Sequence, residues 1–187
     1  ILAGVCAALH VGKLPPALPV LRDALGVSLL QAGFLLSMVQ LAGMSLGLAI
    51  GLAADSFGLL RSMLLGLGTL AVASVAGAWA RDASDLLVLR ALEGFGLLMA
   101  ALPAPSLIRQ LVPLNRLSAM LGLWGAYMPL GSALGLLFGP LVLGAIGWQG
   151  WWWGLGGLTT AMAFWLAIGV PPDGRRGTTP DRAPAPS

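Results

Sequence analysis

Charge is what this sequence has least of. Of 187 residues, 9% are Asp, Glu, Lys or Arg and 58% are hydrophobic, and the mean hydropathy is +0.90. Soluble domains carry about 25% charged residues, so there are too few here to coat a water-facing surface. Cysteine is as scarce. Cys6 has no intrachain partner for a disulfide, and with the single histidine, His10, it cannot complete a zinc site. No Lys/Arg block is present to track phosphates, so nucleic acid is not an expected partner. The P-loop and His-Glu-x-x-His patterns are also missing. An enzyme is therefore not expected, nor a metal or cofactor. The chain opens on Ile1, already apolar, with no methionine, charged n-region or cleavage site. It reads as a fragment or as a chain whose N-terminus lies upstream, not as a signal peptide.

What is present is Leu, Ala and Gly in long runs. Turn and charge punctuation at Arg22-Asp23, Asp55–Gly58, Arg81–Asp85, Pro113–Arg116 and Gly147–Gly150 leaves six apolar stretches, near 1–21, 29–52, 60–80, 85–108, 116–144 and 150–170. A membrane-spanning helix needs about 20 such residues, and period-two alternation is absent, so helices are expected rather than barrel strands. The fold class expected is an all-α membrane protein with six transmembrane helices over 1–170. The polar, proline-rich 171–187 is expected to be a disordered cytoplasmic tail or the start of a central loop. Arg61, Arg109, Arg116, Arg175, Arg176 and Arg182 follow even-numbered stretches, while Arg22 and Arg81 follow odd ones. That bias places both termini in the cytoplasm of a multi-pass protein of the cell (inner) membrane. Trp148, Trp151, Trp152 and Trp153 are expected at the outer headgroup level, or as lipid-facing bulk. Glycine ladders at Gly43, Gly47 and Gly51 and at Gly131, Gly135 and Gly139 predict close helix packing.

Ionisable residues within these stretches cost about 3 kcal/mol each on insertion scales, so they are the candidates for a site. His10 and Lys13 lie in stretch one beside Pro15-Pro16, and Arg90 and Glu93 in stretch four ahead of Pro103 and Pro105. Interrupted helices at matching places in two three-helix repeats are how many transporters mark a binding site. The expectation is that these side chains face a water-accessible passage. Each also has a structural reading. Lys13 would snorkel to an interface, His10 would be packed neutral, and Glu93 would pair with Arg90 at i+3. Gln40 would meet either solute or a neighbouring helix.

Three segments carry a resemblance. Gly51-Leu-Ala-Ala-Asp55-Ser-Phe-Gly58-Leu-Leu-Arg61 resembles the loop between helices two and three of the major facilitator superfamily, with Ser56 where the family has Arg. Arg90-Ala-Leu-Glu93-Gly94-Phe-Gly96 is similar to that family's helix-four motif. Gly135-x-x-x-Gly139-Pro140-x-x-Leu143-Gly144 is similar to its antiporter element in helix five, with Leu143 replacing a glycine. Residues 12–19 and 124–131 resemble the cyanate-transporter-like branch. The resemblance implies two inverted three-helix repeats forming half of a twelve-helix secondary transporter, completed by a C-terminal half or a second copy. Such a half moves a small solute by alternating access, with Gly51, Asp55, Gly58 and Arg61 as a gating loop. The positive residues Lys13, Arg90 and His10 make a small anion the expected solute. The alternative is a membrane subunit or receptor that transports nothing.

Overall fold

The Leu/Ala/Gly stretches fold as helices. The computed structural model describes residues 1–41, 45 and 58–172, and no strand occurs among them. The helices are α1 (Leu2–Gly12), α2 (Leu14–Leu25), α3 (Leu29–Leu41), α4 (Leu59–Gly77), α5 (Ala83–Ala101), α6 (Ala104–Leu111), α7 (Leu114–Gly125) and α8 (Tyr127–Gly169).

Four runs among the described residues are long and apolar enough to cross a membrane: Leu2–Leu25, Leu59–Gly77, Ala83–Leu111 and Leu114–Gly169, with α3 as a shorter apolar helix. Six separate helices are thus not seen, which corrects the sequence expectation. Part of the second stretch, including Gly43, Gly47 and Gly51, lies outside the described residues, as do Asp55 and 173–187. Stretches five and six form two helical arms of α8, joined at one non-helical residue. Gly147 takes φ 72° and ψ 177°, a combination open essentially to glycine alone.

The helix ends follow local chemistry. Ser28 and Gln31 form a reciprocal capping box at α3, Ser28 N–H donating to Gln31 Oε1 (2.9 Å) and Gln31 N–H to Ser28 Oγ (3.2 Å). Asp82 caps α5 by accepting from Asp85 N–H at 2.9 Å. In the first run, Pro15 and Pro16 lack the N–H groups that would bond the carbonyls of Val11 and Gly12. Lys13, at the joint between α1 and α2, keeps a right-handed helical conformation (φ −68°, ψ −29°), so one span passes through it.

Packing is set by small residues. A methyl group at Gly131 would stand 2.5 Å from the Val5 carbonyl oxygen, at Gly135 2.7 Å from Gly12, and at Gly139 2.6 Å from Pro16. The pairs advance together, so the arm 127–146 lies parallel to α1 and α2. The arm 148–169 runs the other way: Trp151 meets Lys13, whereas Thr159 meets His10 and Cys6. The chain therefore reverses at Gly147. Gly66 and Gly96 notch α4 against α5 in the same manner, each meeting backbone of the other helix. Without a hydrophobic drive between helices in lipid, close backbone approach of this kind holds a bundle together.

Candidate functional site

Two apolar clusters fill the bundle. One includes Leu14, Leu21, Leu35, Leu86, Trp148 and Leu155. The other includes Ala7, Val39, Leu67, Leu70, Leu97 and Trp124. On each long run a polar residue falls between members of the two clusters: His10 and Lys13 on α1 and α2, Ser74 on α4, Arg90 and Glu93 on α5, and Thr159 on α8. The result is a polar layer inside an apolar bundle. Lys13 lies near the middle of its 24-residue span, about 17 Å from Leu2 at 1.5 Å per residue.

Glu93 is the hub of this layer. One carboxylate oxygen, Oε1, accepts from Lys13 Nζ, and the other, Oε2, accepts from Arg90 Nη1 at 2.5 Å. Lys13 Nζ also donates to Ser74 Oγ at 3.0 Å and approaches His10 Nδ1 at 3.5 Å. It stands 4.6 Å from the centre of the Trp152 ring, within cation–π range. An ammonium only donates, so His10 Nδ1 is the accepting nitrogen. Its Nε2–H then points to Thr159 Oγ1 at 2.7 Å, and that hydroxyl donates to the Leu155 carbonyl at 2.8 Å. Cys6 Sγ is 3.5 Å from the same hydroxyl.

The same residues reach the backbone at the joint of the first span. Arg90 Nη1 donates to the His10 carbonyl (2.7 Å) and Nε to the Leu35 carbonyl (3.4 Å). Trp151 Nε1 donates to the Lys13 carbonyl at 3.2 Å. Lys13 is 0% exposed, His10 and Glu93 1%, and Arg90 2%, so the centre is closed to solvent in this state.

The four ionisable candidates are therefore brought together. They pair with one another instead of lining an open passage, and Lys13 and Arg90 do not snorkel. The proline-flanked joint of the first span sets Lys13 within reach of Glu93, and a carboxylate with two oxygens serves both cations. Gln40 stays outside the centre, exposed on α3. Gly58 precedes α4 with φ 99°, and Arg61 is exposed in the first turn of that helix, while Gly51 and Asp55 lie outside the described residues. Gly135 and Gly139 pack on the first span, Pro140 is exposed, and nothing lies within 4 Å of a methyl group built at Gly144.

The lipid-facing reading of the tryptophans is corrected. Trp148, Trp151 and Trp152 are buried and only Trp153 of the four is exposed, at 45%. Trp151 is drawn in by the Lys13 carbonyl and Trp152 by the notch at Gly77. Sequence reading also missed Ser74 and Thr159. Their signal was available, since each is a hydroxyl in the middle of an apolar run, where a polar group needs a partner. A further signal was passed over: of ten basic residues, Lys13 alone is lysine and the others are arginine.

Apolar runs of spanning length packed around a sealed ionic centre define a multi-pass helical membrane protein. The Major Facilitator Superfamily model matches residues 1–186, and the chain belongs to that family of membrane transporters, which are not enzymes. It is 34% identical over 149 residues to the methylenomycin A resistance protein of Streptomyces coelicolor, covering 78% of this chain and 31% of that protein. It is 30% identical over 102 residues to the uncharacterized MFS-type transporter Rv1250 of Mycobacterium tuberculosis, covering 54% of this chain and 18% of that protein. The chain thus spans about a third or less of the length of these curated relatives. The crystal structure of a bacterial homolog of the human lysosomal transporter Spinster shares the fold, with a TM-score of 0.82 at 19% identity over 96% of this chain and 44% of that one. These comparisons do not show the narrower likeness to the cyanate-transporter-like branch expected from residues 12–19 and 124–131.

Proposed function

We propose that this chain is one half of a secondary active transporter of the inner membrane that moves a small organic anion by alternating access. Counting the helix that begins at Leu29 as one crossing and the run that reverses at Gly147 as two, the half has six crossings as two three-helix repeats. Both termini are cytoplasmic, and a second half or a second copy completes the path. The observation that carries the anion reading is the charge of the centre. Two cationic partners of one carboxylate, Lys13 and Arg90, leave a positive charge uncompensated near mid-bundle. In a medium of low dielectric such a charge favours an anion over a neutral or cationic solute. Opening of the centre by rocking of the two halves then admits the solute from either side.

Flux in proteoliposomes of the full-length protein tests this, with succinate, malonate and methanesulfonate as probes that do not cross lipid unaided. Uptake of at least one is expected, with tenfold or greater loss in Lys13→Ala and Arg90→Ala. Unchanged anion flux in both variants would end the anion reading. A second reading, outward export of an organic solute, is favoured by the relative named as an antibiotic resistance protein. Inside-out and right-side-out vesicles separate the two directions. A membrane subunit that transports nothing would bind a partner and move no probe in either.

A further inference from the structure

We propose that Lys13 is the proton-binding group of the transport cycle, its ammonium releasing and regaining a proton while Glu93 remains ionised as the fixed counter-charge of Arg90. The inference deepens the transporter reading by naming the group that couples the solute to a proton gradient.

The centre offers four ionisable groups, and charge arithmetic separates them. With Lys13 and Arg90 as cations, Glu93 as carboxylate and His10 neutral, the net charge is +1. Protonating Glu93 would leave two cations at 0% and 2% exposure with no anion between them. Protonating His10, whose Nδ1 lies 3.7 Å from Glu93 Oε1, would put a third cation on the one carboxylate and remove the acceptor that faces Lys13 Nζ. Arginine does not deprotonate in proteins. Release of a proton from Lys13 is the one change of state that carries the centre to neutrality. The N–H bond breaks, the electron pair stays on Nζ, and the proton passes to water on whichever side the bundle is open. The resulting amine keeps N–H donors for the Ser74 hydroxyl at 3.0 Å, whose own proton goes to the Trp152 carbonyl at 2.9 Å, and Arg90 keeps Glu93.

The groups facing Nζ from each packed element are all accounted for among the described residues. His10 comes from α1 and Glu93, with Arg90 behind it, from α5. Ser74 from α4 and the Trp152 ring from α8 do not titrate. The sequence carries the second, independent observation. Every other basic residue is arginine, and an arginine at position 13 would supply the same charge. What lysine adds is a cation that can lose its proton when desolvated.

The test is a titration of the full-length protein labelled with carbon-13 lysine, the Lys13 ε-carbon resonance being the one that Lys13→Arg removes. It is expected to move from the ammonium to the amine position as pH is raised over the range in which the fold is retained. Over the same range the Glu93 carboxylate band, identified by infrared difference against Glu93→Gln, is expected to persist. An ammonium at every pH, or a Glu93 that protonates while Lys13 does not, overturns the proposal. If Lys13→Arg fails to fold, Lys13→Met makes the same assignment. In vesicles, accumulation of the probe anion driven by a pH gradient is expected in the wild-type protein and is expected to be lost in Lys13→Arg. Retained accumulation also overturns it. The titration needs no solute, so its failure is distinct from failure of the transporter reading, which the vesicle flux alone decides.

Discussion

Replacing Glu93 by Gln removes one charge and almost no volume, and the two cations it served stay where they are. Lys13 is 0% exposed and Arg90 2%, and neither has another carboxylate among its described partners. Breaking a buried ion pair by deleting one member costs about 3–5 kcal/mol, because the remaining charge is left uncompensated. Since 1.4 kcal/mol is a factor of ten, the folded population should fall by about two to three and a half decades. Titration of the full-length protein from mild-detergent micelles into SDS, followed by tryptophan fluorescence, measures this. The diagnostic variant is the double mutant Lys13→Met/Glu93→Gln, which removes one of the two orphaned cations. It should recover about 2 kcal/mol relative to Glu93→Gln alone, non-additivity of the size expected for residues in one network. A Glu93→Gln protein within about 1 kcal/mol of wild type, with no rescue by Lys13→Met, would refute the reasoning, since the centre would then be screened as a surface pair is.

The remaining expectations concern packing and access. Gly135→Ala places a methyl group 2.7–3.0 Å from the backbone of Gly12. It should cost about 1–3 kcal/mol by overpacking, while Gly144→Ala, with open space around it, should be silent in the same SDS titration. Gly147→Ala forces a side chain into φ 72°, ψ 177° and should cost about 1–3 kcal/mol. Differential scanning calorimetry reads it, and an unchanged melting temperature would show that the chain turns elsewhere. Trp151→Phe loses the donor to the Lys13 carbonyl together with the buried pyrrole ring, and should cost at least about 1 kcal/mol in the SDS titration. Cys6, 4% exposed, should resist a membrane-impermeant maleimide in a background otherwise free of cysteine. Labelling at the rate of an exposed thiol would show that the closed centre is open to water.

The class of the protein was legible because it depends on composition and run length, which the bilayer reads directly. The glycine ladder on the fifth stretch was legible for a similar reason. Spacing by four puts Gly131, Gly135 and Gly139 on one face whatever the fold, and that face meets Val5, Gly12 and Pro16. The identity of the charged residues was legible too, but not their relation. That Glu93 at i+3 would meet Arg90 follows from helix geometry. That Lys13, 80 positions away, would take the other oxygen of the same carboxylate depends on how the first span packs against α5. The tryptophans show the limit most clearly. A run of rings at a helix end suggests an interface, and only tertiary structure reveals that Trp151 finds a carbonyl and Trp152 a glycine notch.

The prolines and the charges belong to one device. Pro15 and Pro16 strip two N–H groups from the middle of the first span, and the neighbouring carbonyls of His10 and Lys13 receive donors from outside that span, Arg90 on one side and Trp151 on the other. A joint tied by side chains of two other helices changes only when those contacts change. Arg90 links that joint to Glu93, and Glu93 links it to Lys13. Loss of the Lys13 charge therefore weakens one of the two ties on the carboxylate while leaving Arg90 on the His10 carbonyl. The ionic state of the centre and the backbone at the joint of the first span are in this way held by the same few atoms.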